Sequence, residues 1–181
     1  MIFSEEENQR KTVLAKLKTM QKKDFTALFT VMKGKEVNIR LLDAPLHEFL
    51  PHNSQEVKSF CDYMKKATGK NFTTKMLSEK SENLREFNPM LGHRGCRLGN
   101  TYPEITEMQS RAIIEAALNL KKKGIEAKPE IMIPLTGTLK EMKMQEDIVR
   151  STAEKVFEER GERIDYLVGT MIEVPRAALT A

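Results

Sequence analysis

Residues 92–97, Gly-His-Arg-Gly-Cys-Arg, place two guanidinium groups and one imidazole between glycines. Glycine lets a backbone approach a ligand closely. The forked N–H donors of arginine match the oxygens of phosphate and carboxylate groups in pairs. This spacing favours an anion-binding site that includes Arg94. The alternative is a surface loop whose arginines pair with Asp or Glu.

Three further charged residues stand late in, or just after, apolar segments. Arg40 lies late in the alternating segment 36–42 and Asp43 follows it, while Glu173 comes near the end of the apolar segment 164–174. An ionised side chain in such a segment costs free energy unless it meets a partner or a ligand. Each residue could therefore serve a ligand site. Each could instead form a buried Arg–carboxylate pair or extend to the rim of the fold.

The segments around these residues alternate between the apolar periodicity of strands and that of helices. Strand patterns occur at 36–42, 130–135 and 164–174, with amphipathic helices between them. This alternation predicts βαβ units and a parallel sheet within one α/β domain, residues 1–181. An open doubly wound sheet and a (β/α) barrel both satisfy the pattern. In both of them, ligands gather at the carboxyl ends of the strands.

Capping patterns predict where the helices begin. Ser4, Thr101 and Thr138 each precede a glutamate by three positions, which is typical of a capping box. Asp24 could cap a second short helix after the first. Two further helices are predicted before residue 88. One places Val57, Phe60, Cys61 and Met64 together, and the other carries Met76, Leu77, Leu84 and Phe87.

The composition disfavours several functions. The 181 residues are 40% hydrophobic and 31% charged with a net charge of +4, which is ordinary for a globular domain. There is no apolar run long enough for a transmembrane helix and no signal-peptide pattern, so we expect a cytoplasmic protein with no membrane partner. Trp is absent and the charges are interspersed, so no nucleic-acid partner is expected. Cys61 and Cys96 lack metal-ligand spacing and are expected to be structural thiols.

Several longer strings resemble those of pyruvate, phosphate dikinases, a family of enzymes that use phosphoenolpyruvate (PEP). They occur in the order of that family and span nearly the whole chain. The string HRGCRL followed by YPEI distinguishes the dikinases from PEP synthase and from the sugar-transport enzyme I. The matching strings are VNIRLLD (37–43) with LHEF (46–49), NPMLGHRGCRL (88–98) with YPEI (102–105), PEIMIPL (129–135) and VGTMIEVPRAALT (168–180).

The resemblance implies a fold, ligands and site residues. In that family the C-terminal domain is a (β/α)8 TIM barrel that binds PEP or pyruvate together with Mg²⁺. The resemblance assigns Arg40 and Arg94 to the phosphoryl and carboxylate oxygens of the substrate and Glu173 to the metal, with Arg97 as a less direct neighbour. Arginines and Mg²⁺ would offset the charge of PEP as its phosphoryl group moves. The implied reaction interconverts ATP, phosphate and pyruvate with AMP, pyrophosphate and PEP.

The resemblance also implies that parts of the family pattern lie outside these residues. The expected fold is a partial barrel, with the first strand and the last strands missing. No catalytic residue is assigned, because Cys61 and Cys96 do not match the Cys-Gly-Glu segment of the family's proton donor, and His93 is not the phosphorylated histidine. The missing domains of the full-length enzyme would be partners, and exposed sheet edges would favour a homo-oligomer. The alternatives are a non-catalytic anion-binding or assembly fragment and a related phosphotransferase such as PEP synthase.

We expect the 181-residue chain alone to have no dikinase turnover. The phosphohistidine, the nucleotide site and the proton-donating cysteine of the family all lie outside the matching strings, so no phosphoryl relay can run. The purified chain, incubated with AMP, pyrophosphate and PEP, should form no pyruvate above a blank in a coupled assay. Pyruvate formation that depends on both AMP and pyrophosphate would contradict this expectation.

Overall fold

The computed structural model of the chain describes residues 6–51, 53–69, 71–83, 88, 90 and 92–181. The chain divides into two compact units, one consisting of Met1–Asp43 with Arg94–Ala181 and the other of Ala44–His93. The single domain expected from the sequence stays a prediction, because one domain can contain two such units. None of the helices in the described ranges is long and apolar enough to cross a membrane.

A parallel sheet lies in the first unit. Its strands are β1 Glu36–Arg40, β2 Lys128–Ile133 and β3 Leu167–Thr170, and they stand in the order β1-β2-β3. Each parallel step requires a crossover connection, and helices supply it, as the alternating pattern predicted. Only the centre of the predicted segment 164–174 becomes a strand, because β2 pairs with it from Glu130 to Ile133 alone.

The two faces of the sheet differ in polarity. Val37 and Ile39 are buried in a core to which the helices Pro103–Lys121 and Leu139–Arg160 also contribute. On the opposite face, the side-chain amide of Asn38 donates to Glu130 at 3.1 Å, and Arg40 is exposed. The alternation read from residues 36–42 is therefore confirmed. It directs Arg40 away from the apolar core.

The first described helix is α1, Glu7–Val31. The prediction of a separate helix capped by Asp24 is wrong. No Gly or Pro interrupts the helix, and the hydroxyl of Thr26 donates back to the carbonyl of Lys22 at 2.7 Å, a bond that a continuous helix permits. A good capping residue does not end a helix when the backbone on both sides can continue it. The capping box predicted at Ser4 lies outside the described residues.

The second unit contains a 3-10 turn at Leu46–Phe49, α2 at Ser54–Thr68 and α3 at Thr74–Asn83. The side chain of Asn53 accepts the backbone N–H groups of Gln55 and Glu56 and so caps α2. Gly69 ends this helix in the left-handed conformation, φ +70°, near the predicted position. The predicted helical positions Leu84 and Phe87 lie outside the described residues.

The described residues of the first unit contain four further helices: α4 Gly95–Thr101, α5 Pro103–Lys121, α6 Leu139–Arg160 and α7 Pro175–Leu179. The capping box predicted at Thr101 is wrong, because Thr101 ends α4 and its hydroxyl donates to the Arg97 carbonyl at 3.0 Å. The box at Thr138 is confirmed, since its hydroxyl accepts the Glu141 N–H at 3.3 Å. The glycine-rich segment 90–100, which has no helical period, contributes most of α4.

Candidate functional site

The carboxyl ends of the three strands lie at one edge of the sheet. Arg40 is the last residue of β1, Leu135 follows β2 by two positions, and Glu173 follows β3 by three. Ligands of parallel α/β proteins bind at this edge. The structure therefore places the predicted residues Arg40 and Glu173 where a ligand site is expected.

Asp43 and Arg94 form a bidentate pair at this edge. Nε and Nη2 of Arg94 donate to the two carboxylate oxygens of Asp43 at 2.7 and 2.8 Å, and Nη2 also donates to the Asp43 carbonyl at 2.9 Å. The Asp43 side chain is 2% exposed and that of Arg94 is 15% exposed. Two charges this deeply placed need good geometry to offset their desolvation. The pair joins the end of β1 to the start of α4.

Arg40 approaches the same carboxylate from the exposed face of the sheet. Its Nη1 lies 3.9 Å from Oδ2 of Asp43 and 3.8 Å from the Sδ atom of Met171, just after β3. Its side chain is 47% exposed. The two predicted substrate-binding arginines thus converge on Asp43, with Arg94 held tightly and Arg40 held loosely. Arg94 pairs with a carboxylate, as the alternative interpretation held, and the pairing fixes its orientation.

A backbone turn after β2 holds Glu173. Leu135 has φ of +58°, a left-handed conformation that is uncommon for residues other than glycine. Its N–H donates to Oε1 of Glu173 at 2.8 Å. Glu173 itself is half-buried. The turn therefore fixes one oxygen of the carboxylate that the family resemblance assigns to the metal.

Gly95 allows the glycine-rich segment to pack against this turn. Its φ is +56°, and a Cβ atom there would lie 3.1 Å from Cβ of Leu135 and 3.2 Å from Oδ1 of Asp43. The N–H of Cys96 donates to the carbonyl of Pro134 at 3.2 Å. The glycines do allow the backbone to approach another group closely, as expected. The group that it approaches is the turn after β2.

Arg97 and the start of α6 have different surroundings. Arg97 is half-buried in the first turn of α4. The start of α6 is occupied by a carboxylate of the same helix. Oε2 of Glu141 accepts the Gly137 N–H at 3.0 Å and the Thr138 hydroxyl at 3.1 Å. An anion at this helix start would have to displace that carboxylate.

Carboxylates that could hold a cation are few at this edge. The described part of the chain contains no group of three or more His, Cys, Asp and Glu residues that could hold a metal ion. The Asp43 carboxylate is already engaged by Arg94 through both oxygens. Among the described residues, Glu173 is a carboxylate at this edge that Arg94 does not engage, so it is available to contribute one ligand to a cation.

Leu135 and Gln109 had no role in the sequence interpretation, and the contact partner of Asp43 was not predicted. Asp43 was visible as an acidic residue after a strand, but its partner lies 51 positions away in the sequence. Leu135 gave no signal, because leucine does not indicate a left-handed turn. Gln109, on α5, accepts the N–H of Leu42 at 2.7 Å and so holds the chain just before Asp43. No local pattern indicates such a contact.

Burial, and to a smaller extent the nearby negative charge of Glu141, raise the pKa of the Cys96 thiol from an ordinary value of 9.0 to about 11. The thiol donates to the Leu135 carbonyl at 3.3 Å and is 1% exposed. Between pH 9 and pH 11 the unfolded chain loses this proton while the folded chain keeps it, so the free energy of unfolding should fall as pH rises through this window. Below the window the thiol should contribute no pH dependence.

Urea unfolding at several pH values tests this prediction. The wild-type chain and a Cys96→Ala variant are compared at each pH, because lysines and tyrosines titrate in the same range in both proteins. As the pH rises from about 9 to about 11, the free energy of unfolding of the wild type should fall relative to that of the variant. Parallel pH profiles for the two proteins would contradict the assignment.

The whole sequence, residues 1–181, matches the family described as PEP-utilising enzyme, PEP-binding domain. It is 49% identical over 181 residues to pyruvate, phosphate dikinase of Giardia intestinalis and 47% identical over 182 residues to that of Clostridium symbiosum, covering all of this chain and 20% of each relative. The chloroplastic dikinase of Mesembryanthemum crystallinum is 48% identical over 181 residues, with 19% of its length covered. The chain spans about a fifth of the length of these curated relatives. The chain therefore belongs to the PEP-utilising enzyme family and represents its PEP-binding domain.

Proposed function

We propose that this chain supplies part of the PEP or pyruvate site of a pyruvate, phosphate dikinase. That enzyme interconverts ATP, phosphate and pyruvate with AMP, pyrophosphate and PEP. The observation that carries the proposal is the convergence of Arg40 and Arg94 on Asp43 at the carboxyl edge of the sheet. PEP is a compact polyanion, and two guanidinium groups around one buried carboxylate leave a net positive charge to attract it.

The two arginines would play different parts. Arg94 is fixed by three hydrogen bonds to Asp43, so it presents a charge of defined orientation. Arg40 is about half exposed and weakly restrained, so it can close on a ligand that arrives from solvent. Forked donors of this kind match phosphoryl and carboxylate oxygens. Together they would orient the substrate and stabilise charge on the phosphoryl group as it is transferred.

Mg²⁺ fits the donor that Glu173 provides. This cation takes one or two protein carboxylates and otherwise water and phosphate oxygens, so a single glutamate is a sufficient contribution from this edge. The Leu135 N–H would hold one oxygen of Glu173 in place. When bound, the cation would neutralise negative charge on the phosphoryl oxygens. The protein's part is to orient that carboxylate.

We also propose that the sheet is part of a (β/α)8 barrel. Its strands are parallel and adjacent in sequence order, and α5 and α6 pack on one face. An open doubly wound sheet contains a point where the strand order reverses, and the three described strands have no such reversal. In the described residues, β1 and β3 each pair on one side only, so unpaired edges could bring copies together as a homo-oligomer. Sedimentation as a monomer would count against that assembly.

The Glu173→Gln variant tests the role of the metal. Glutamine keeps an oxygen that can accept the Leu135 N–H, so the turn should persist, but it has no negative charge for a cation. In the wild-type chain, replacing NaCl by MgCl2 at equal ionic strength should tighten PEP binding in calorimetry. The variant should lose most of that gain, whereas its binding in NaCl should be unchanged or tighter. An equal Mg²⁺ effect in the two proteins would contradict the proposed ligand.

A further inference from the structure

Asp43 makes contacts that go beyond an ordinary ion pair. Its side chain accepts Nε and Nη2 of Arg94, and its carbonyl accepts Nη2 as well, so it engages three of the five N–H donors that an arginine has. A guanidinium held through three donors keeps one plane and one orientation. A single salt bridge would leave it free to rotate.

The same carboxylate links the two arginines. Oδ2 of Asp43 accepts Nη2 of Arg94 at 2.8 Å and lies 3.9 Å from Nη1 of Arg40. Two guanidinium groups near one another repel unless an anion lies between them. Asp43 occupies that position, and its side chain is 2% exposed.

The backbone holds Asp43 itself in register. The Leu42 N–H donates to Oε1 of Gln109 on α5 at 2.7 Å, and Gln109 is buried. Oδ1 of Asp43 also lies against Gly95, where a Cβ atom would be 3.2 Å away. Asp43 is therefore fixed from two sides before any ligand is present. A fixed Asp43 in turn holds the Arg94 guanidinium in one orientation.

We infer that Asp43 is a positioning residue of the anion site: it acts through Arg94, and secondarily through Arg40, without touching the ligand. This inference rests on the proposed function. It deepens that function because it makes the orientation of Arg94, in addition to its charge, a determinant of PEP affinity. A simple electrostatic view predicts the opposite sign, since removal of a negative charge would strengthen anion binding.

A double-mutant cycle separates these views. PEP with MgCl2 is titrated calorimetrically into the wild-type 181-residue chain, Asp43→Asn, Arg94→Ala and the double variant, at matched ionic strength. Asp43→Asn should weaken binding by about tenfold, the value of one charged hydrogen bond, but by less than about twofold when Arg94 is already alanine. Asp147→Asn, which removes the same charge from an exposed site on α6, is the control and should stay within about twofold.

A spectroscopic measurement follows Arg94 itself. The Nε–H of Arg94 donates to Oδ1 of Asp43, so its proton resonance should be shifted downfield and exchange slowly with water in the wild type. Asp43→Asn should remove both features, and the Arg94→Ala spectrum identifies the signal. A general loss of structure would move many resonances, whereas this role predicts a change centred on Arg94 and its neighbours.

Several outcomes would overturn the inference. Binding by Asp43→Asn as tight as the wild type or tighter would mean that Asp43 only competes with the anion. An equal loss in both backgrounds would mean that it acts through the general structure. If Asp43→Asn does not fold, the Arg94→Lys variant is measured in its place. Lysine keeps the positive charge but lacks the forked donors of arginine, so Arg94→Lys should bind PEP as weakly as Arg94→Ala. Wild-type affinity of Arg94→Lys would overturn the inference. Failure of the proposed function is distinct, since Arg94→Ala would then bind like the wild type.

Discussion

Replacing Glu104 by alanine should lower the free energy of unfolding by about 3–5 kcal/mol, the usual cost of removing one partner of a buried ion pair. Nε of Arg10 donates to Oε1 of Glu104 at 2.6 Å, and the two side chains are 11% and 8% exposed. The guanidinium also lies 4.4 Å from the ring centroid of Tyr102. In the variant, the Arg10 guanidinium would stay buried without this carboxylate to offset its charge. Urea unfolding followed by circular dichroism measures the loss.

Glu107→Ala provides the matched control. Glu107 lies on the same helix, and its carboxylate is 3.9 Å from the ammonium group of Lys155 with both side chains largely exposed. Its removal should cost less than about 1 kcal/mol. A variant that replaces both Arg10 and Glu104 with apolar residues of similar volume should recover most of the lost stability. Equal losses for Glu104→Ala and Glu107→Ala would contradict this explanation.

Replacing Gly95 by alanine should lower the free energy of unfolding by about 2–5 kcal/mol. The left-handed conformation at φ +56° costs a residue with a Cβ about 1–2 kcal/mol. The new methyl group would also press on Leu135 and Asp43 at 3.1–3.2 Å, and over-packing of this kind typically costs about 1–3 kcal/mol. Both neighbours support the candidate site, so PEP affinity should fall together with stability.

Gly161→Ala separates strain from packing. Gly161 ends α6 with φ of +66°, close to that of Gly95, and a Cβ atom there would meet nothing within 4 Å. This variant should show the conformational cost of about 1–2 kcal/mol alone and unchanged PEP affinity. The difference between the two variants measures the close packing at Gly95. No difference would mean that the contacts with Leu135 and Asp43 are relaxed at little cost.

The sequence predicted the sheet because the information lies within each segment. The alternation of residues 36–42 placed Val37 and Ile39 in the core and Arg40 on the other face, as observed. The box at Thr138 also depends on residues three positions apart, and it forms. The placement of Arg40 and Glu173 at one edge followed from a general property of parallel sheets. These features need no knowledge of distant contacts.

The features that the sequence did not predict depend on distant residues. Glu104 has the spacing of a capping box with Thr101, but it binds Arg10, 94 positions away. A carboxylate forms a stronger hydrogen bond with a buried guanidinium than with a backbone N–H at an exposed helix start. The left-handed turn at Leu135 is stabilised by Glu173, 38 positions away. Local spacing could indicate neither partner, so the support for the site became visible only in three dimensions.

A titration with PEP tests most directly whether the arginines on Asp43 bind the anionic substrate, as proposed. PEP is added to the wild-type chain, to Arg94→Ala and to Arg150→Ala, which removes the same charge from an exposed Glu146 pair on α6. All three are measured by calorimetry at the same ionic strength. A lost charged hydrogen bond is worth about 1.5–3 kcal/mol, so Arg94→Ala should bind PEP about ten to a hundred times more weakly, and Arg150→Ala should bind like the wild type. Equal affinity of Arg94→Ala and the wild type would contradict the account.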